Sequence, residues 1–146
     1  MLQELSIAAV AHVIQLAVAP VFLLTGIGSM LAVMTNRMSR IVDRARRLET
    51  GPASTPEQEQ DFLTELQRLS HRARLISISI SLCTLTALLV SAVIAILFLG
   101  AFLAFDASMV VALLFVAAML AFIVALICFL REVFIAIRGL RFVRAV

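Results

Sequence analysis

The apolar positions of this 146-residue chain fall into long runs, and the polar stretches between them keep a helical beat. From Ile7 to Met34 the chain is almost continuously hydrophobic. As one helix that run would be about 42 Å long, against a hydrocarbon core of about 30 Å. Pro20 offers a break, because proline costs an interior hydrogen bond but suits a first turn. Residues 3–17, where Gln3, Glu4, His12 and Gln15 interrupt apolar neighbours, read as a short interfacial amphipathic helix or as the kinked top of a span. Residues 19–49 read as a first span that continues past the membrane surface. There Met34, Met38, Ile41, Ala45 and Leu48 follow at steps of four, three, four and three, a coiled-coil seam. Gly51 and Pro52 stop this helix.

The next helix has a clear start: Thr55 as cap, Pro56 in the first turn and Gln58 completing a T-x-x-Q box. Phe62, Leu66, Leu69, Ala73 and Ile76 repeat the same steps, so residues 55–98 predict a helix running on into a second span from about Ile76 to Phe98. Two matching seams joined by a turn over Thr50 to Ser54 predict an antiparallel helical hairpin about 20–25 Å tall. Residues 107–146, with Asp106 as a cap, predict a third span to about Leu130 and then an amphipathic basic tail.

Charge turns this pattern into a topology. Of twelve basic residues, all arginine, eight lie between Arg37 and Arg74 and four between Arg131 and Arg144. The short turn from Gly100 to Ser108 has none. Arginine-bearing segments stay on the cytoplasmic side, so the N-terminus is expected outside and the C-terminus inside. The net charge of +3 does not indicate nucleic acid, because the arginines flank spans and the chain has no Tyr or Trp to stack on bases. Anionic lipid headgroups are the expected partners, at roughly 1 kcal/mol per arginine near the surface. No basic n-region precedes the first apolar run, which argues against a cleavable signal peptide.

Candidate chemistry is sparse. Cys83 and Cys128 sit in apolar runs without a CxxC or Cys/His cluster, so neither a disulfide framework nor a metal site is expected. His12 and His71 fall on opposite sides of the predicted membrane, and no catalytic motif is present. No catalytic residue and no cofactor is expected. Arg37, Arg40, Arg44 and Arg47 form a stripe at steps of three, four and three, with Asp43 placed to pair with Arg40 or Arg47. The stripe reads as an anion or lipid-headgroup site, as a charged ring at the mouth of an oligomeric pore, or as simple topological anchoring. Thr25, Gly28 and Ser29 in the first span, and Ala117, Ala121 and Ala125 in the third, are small-residue patterns that permit close helix approach, within one chain or between copies. Ser77, Ser81 and Thr84 could line a path in an oligomer or bond back to their own helix. No charged residue lies at the centre of a span, so the usual marker of a proton relay is missing.

Two segments carry a resemblance. Ile14 to Gly28, reading IQLAVAPVFLLTGIG, and Thr35 to Arg46, reading TNRMSRIVDRAR, resemble motifs of a bacterial membrane family known as domain of unknown function 2721. Arg72-Ala73-Arg74-Leu75-Ile76 at the start of the second span and Leu97-Phe98 at its end look similar too. The resemblance implies residence in the bacterial cytoplasmic membrane and a three-span plan, marks Gln15, Pro20, Arg37, Arg40, Asp43 and Arg44, and supplies no activity.

The expectation is one all-α integral membrane domain over residues 1–146, with three transmembrane helices and a cytoplasmic hairpin between the first and second. A homo-oligomer is expected. Two functions compete: a channel-like or transport-related assembly with an arginine-rich cytoplasmic vestibule, or a non-conducting scaffold whose hairpin binds a cytosolic partner or anionic lipid.

Overall fold

A computed structural model describes the backbone over residues 2–50, 56–103 and 107–142. It holds three helices: α1 (Leu2–Glu49), α2 (Pro56–Leu103) and α3 (Ser108–Phe142). The caps expected at Thr55 and Asp106, the turn after Thr50 and the last four residues lie outside the described residues. So do the side chains of Glu4, Gln58 and the tail from residue 138 onward. Each helix contains a stretch long and apolar enough to cross a membrane, within Val10–Glu49, Glu59–Leu103 and Ser108–Ile137. At 48 residues each, α1 and α2 are about 72 Å long, far more than a hydrocarbon core requires.

Pro20 does not divide the first apolar run. α1 passes through it from Leu2 to Glu49, so residues 3–17 are the first turns of one long helix and not a separate element. Pro20 is buried. Proline in a helix packed against its neighbours is tolerated where the freed carbonyl finds another partner or a local adjustment. The C-terminus of α1 is finished by Thr50, whose N–H and hydroxyl both donate to the Arg46 carbonyl, at 3.2 and 3.1 Å. Arg46 and Arg47 in the last turn suit the negative end of the helix dipole.

Burial repeats every seventh residue on all three helices. On α1 the line runs through Val13, Pro20, Ile27, Met34 and Ile41. On α2 it is Leu69, Ile76, Cys83 and Val90, and on α3 Ala118, Ala125 and Glu132. A seven-residue step turns a helix by almost two whole turns, so these residues share one edge. The seam positions Met34 to Leu48 and Phe62 to Ile76 are all buried or half-buried, as their spacing requires. The small residues α3 turns inward are Ala118 and Ala125, whereas Ala117 is exposed and Ala121 half-buried. The four-residue series Ala117, Ala121, Ala125 therefore does not form one packing edge.

The helices contribute to two compact units. The first takes residues up to 31 together with 82–123, and its core comprises Val13, Ala17, Ile27, Cys83, Thr86, Val90, Val93 and Ala118. The second takes residues 32–81 and those from 124 onward, and its core comprises Met34, Ile41, Leu69, Ile76, Ser79, Ala125 and the acidic Glu132.

Candidate functional site

The second unit contains a carboxylate with no exposed surface. Glu132 continues the Ala118–Ala125 edge of α3 by one more seven-residue step, which carries its side chain inward. A buried carboxylate needs a partner, since isolated charge in a low-dielectric interior costs several kcal/mol. It has two. Arg37 of α1 donates from Nη1 to Oε2 at 2.8 Å, and Arg72 of α2 donates from Nε and Nη2 to Oε1 at 3.1 and 2.8 Å. The Arg37 guanidinium also lies 5.4 Å from the ring centre of Phe129, one turn before Glu132 on α3, in cation–π range. One acid thus ties α3 to both other helices within this unit.

Arg72 belongs to a second polar line. Glu65, Arg72, Ser79 and Thr86 follow one another every seven residues along the inward edge of α2. Each is satisfied in its own way. Glu65 accepts from Nε and Nη2 of Arg44 at 2.9 and 2.7 Å. Ser79 and Thr86 donate back to the carbonyls of Leu75 and Leu82 at 2.9 and 2.8 Å. Among the described residues no buried side-chain nitrogen or oxygen lacks a partner.

The four-arginine stripe of α1 is split by this packing. Arg37 and Arg44, seven residues apart, turn toward Glu132 and Glu65. Arg40 and Arg47, also seven apart, are exposed. Together with Asp43, Arg44 and Leu48 they line an open groove of about 360 Å³. Asp43 makes no ion pair with Arg40 or Arg47, so the pairing expected from their spacing does not form. The acid that Arg44 does take, Glu65, comes from the facing helix.

The small and hydroxylated residues singled out by the sequence point outward. Thr25, Gly28, Ser29, Ser77, Ser81 and Thr84 are all exposed on the protomer. A Cβ added at Gly26 or Gly28 would meet nothing within 4 Å, so neither glycine serves packing inside the chain. Thr25 and Ser29 donate to the carbonyls of Val21 and Thr25 one turn back. His12 is likewise exposed. By contrast, the outward positions of α3 are almost all large and apolar, Leu113, Val116, Leu120, Ile123 and Ile127 among them.

Sequence reasoning singles out neither Glu132 nor Glu65, and takes Arg72 only as part of a segment that carries the family resemblance. A signal for Glu132 was present: it is the sole acidic residue after Asp106, and it stands seven residues beyond Ala125. Among the described residues no group of three or more His, Cys, Asp or Glu side chains could hold a metal ion. No curated protein and no solved structure matches the chain. The arginine segment of α1, the Arg72 segment of α2 and Glu132 all fall within the part of the chain, residues 17–142, that matches a family described as a protein of unknown function (DUF2721), and the chain belongs to that family.

Proposed function

We propose that this chain is a homo-oligomeric protein of the bacterial cytoplasmic membrane, crossing it three times with its N-terminus outside and its arginines in the cytoplasm. The observation that carries this reading is the contrast between outward faces. α3 offers lipid a surface mostly of large apolar side chains, and its span is the most hydrophobic of the three. α1 and α2 expose large apolar residues too, Phe22, Val33, Leu85 and Leu88 among them, but interleave them with Thr25, Gly28, Ser29, Ser77, Ser81 and Thr84. Lipid gains nothing from such a face, whereas a second helix approaches it closely. In this arrangement α1 and α2 meet neighbouring copies and α3 meets the bilayer. The parts of α1 and α2 beyond the membrane form a cytoplasmic hairpin, tied by Arg44 and Glu65.

The assembly is channel-like. In the second unit α1 carries the Arg40–Asp43–Arg47 groove, and copies of that groove around an axis make a basic vestibule. No catalytic role is assigned, and no cofactor. The test is a pair of measurements on protein reconstituted in vesicles. Cysteines placed at Gly28 and Ser81 should cross-link between copies while one at Leu120 should not. Anion flux should appear and fall when Arg40 and Arg47 become glutamate.

A second reading is favoured by the same groove if flux is absent. A non-conducting scaffold would use Arg40, Arg44 and Arg47 to hold an anionic headgroup or an acidic cytosolic partner. Retention on anionic vesicles that survives replacement of all three by glutamine would exclude it.

A further inference from the structure

The ion triad of the second unit has more donors than acceptors. Two guanidiniums share one carboxylate, so the cluster keeps one net positive charge. Glu132 is fully enclosed, yet the side chains of Arg37 and Arg72 are 34% and 27% exposed. Arg37 spends only an Nη1 donor on Glu132, and Arg72 spends Nε and Nη2. A guanidinium carries further N–H groups beyond these, and among the described residues they have no protein acceptor. Both guanidiniums are also held still, Arg72 by its two-donor grip on one oxygen and Arg37 by Glu132 above the Phe129 ring. Donors that are oriented by the protein, left without a protein acceptor and reachable from solvent suit an oxyanion. The cluster lies where α3 leaves its unbroken apolar run and reaches Arg131 and Glu132, which in a membrane is the depth of the headgroup phosphates.

We propose that Arg37 and Arg72, positioned by Glu132, form a binding site for a phosphate-bearing anion at the cytoplasmic boundary of the membrane. The anion takes the donors that Glu132 leaves over and neutralises the remaining charge. Glu132 is the positioning residue and also the brake: it orients both guanidiniums and cancels one of their charges. The site is separate from the Arg40–Asp43–Arg47 groove and does not depend on conduction. It does rest on the membrane placement proposed above, and the two fail differently: a wrong placement gives protein that does not enter vesicles, a wrong site gives protein that enters them and ignores the anion.

The experiment measures thermal unfolding and lipid retention of the full chain in phosphatidylcholine vesicles. It repeats them with a minority of phosphatidylglycerol added, and again with inorganic phosphate in place of that lipid. A ligand that binds the folded state raises the unfolding temperature by mass action. Stabilisation by phosphatidylglycerol alone identifies a headgroup; stabilisation by inorganic phosphate in neutral vesicles identifies free phosphate; no response to either overturns the proposal. Glu132→Gln should strengthen the response about fivefold, the fold-change one extra positive charge brings at an anionic membrane surface. A purely structural clamp would weaken or leave it unchanged, and that result would overturn the site. The triple variant Arg37→Gln, Arg72→Gln, Glu132→Gln leaves no uncompensated charge, and its own unfolding transition in phosphatidylcholine vesicles shows that it is folded before the anion is added. It should lose the part of the response that Glu132→Gln amplified, and an undiminished response there would equally sink the idea.

Discussion

The two units of this protein are built from the same three helices and both bury an apolar edge, but only the second adds an ion cluster to it. The core of the first is apolar throughout apart from Thr86, which bonds to its own helix. The core of the second turns on a carboxylate held by two arginines from two other helices. Apolar contacts between helices are nearly interchangeable in lipid, because the hydrocarbon around them is as apolar as leucine. They fix which edge faces inward but resist sliding weakly. A charged side chain with two partners at hydrogen-bond distance has one good position only. The comparison assigns proximity to the first unit and register to the second.

The most damaging substitution should therefore lie in the clamp. Arg72→Leu leaves the enclosed Glu132 with a single N–H from Arg37 and should cost about 3 to 5 kcal/mol in unfolding experiments in detergent. A loss below about 1 kcal/mol there would erase the distinction between the units. In the first unit Ile27→Ala, at a fully buried position, should cost about 2 kcal/mol, because a cavity forfeits packing contacts while lipid supplies little transfer energy. Arg44→Gln removes an ion pair whose side chains are 62% and 38% exposed, and should cost less than about 1 kcal/mol by the same assay. The smallest effect on the protomer should come from Gly28→Leu. Its side chain enters open space, so unfolding should stay within about 0.5 kcal/mol of the parent while cross-linking between copies drops.

What could be read from the residues alone follows the same division. The inward edges of α1 and α2 were legible at Met34 to Leu48 and Phe62 to Ile76, because burial along one helix is a matter of spacing on that helix. Three apolar helices were legible for the same reason. Of the two readings of residues 3–17, a separate interfacial helix and the top of a span, α1 follows the second, since it runs on through Pro20. Spacing on one helix places Asp43 within reach of Arg40 and Arg47, but the ion pair that forms in this region joins Arg44 to Glu65 of the facing helix, which that spacing does not show. Glu132 falls in the stretch that the sequence presents as an amphipathic basic tail, because its meeting with Arg37 and Arg72 depends on how helices 95 and 60 residues apart in sequence are set against one another within the second unit. The outward orientation of Thr25, Gly28, Ser29, Ser77, Ser81 and Thr84 needed the same information.

The seven-residue recurrence of enclosed positions also restricts how such a chain can change length. One residue inserted into α2 between Arg72 and Ser79 would swing everything beyond it through about 100°, carrying Ser79, Thr86 and Val90 off the inward face of α2. Insertions in whole sevens preserve the edge, and only if the opposing helices grow by the same amount. Ordinary drift in size is thereby pushed into the connections that follow Thr50 and Leu103.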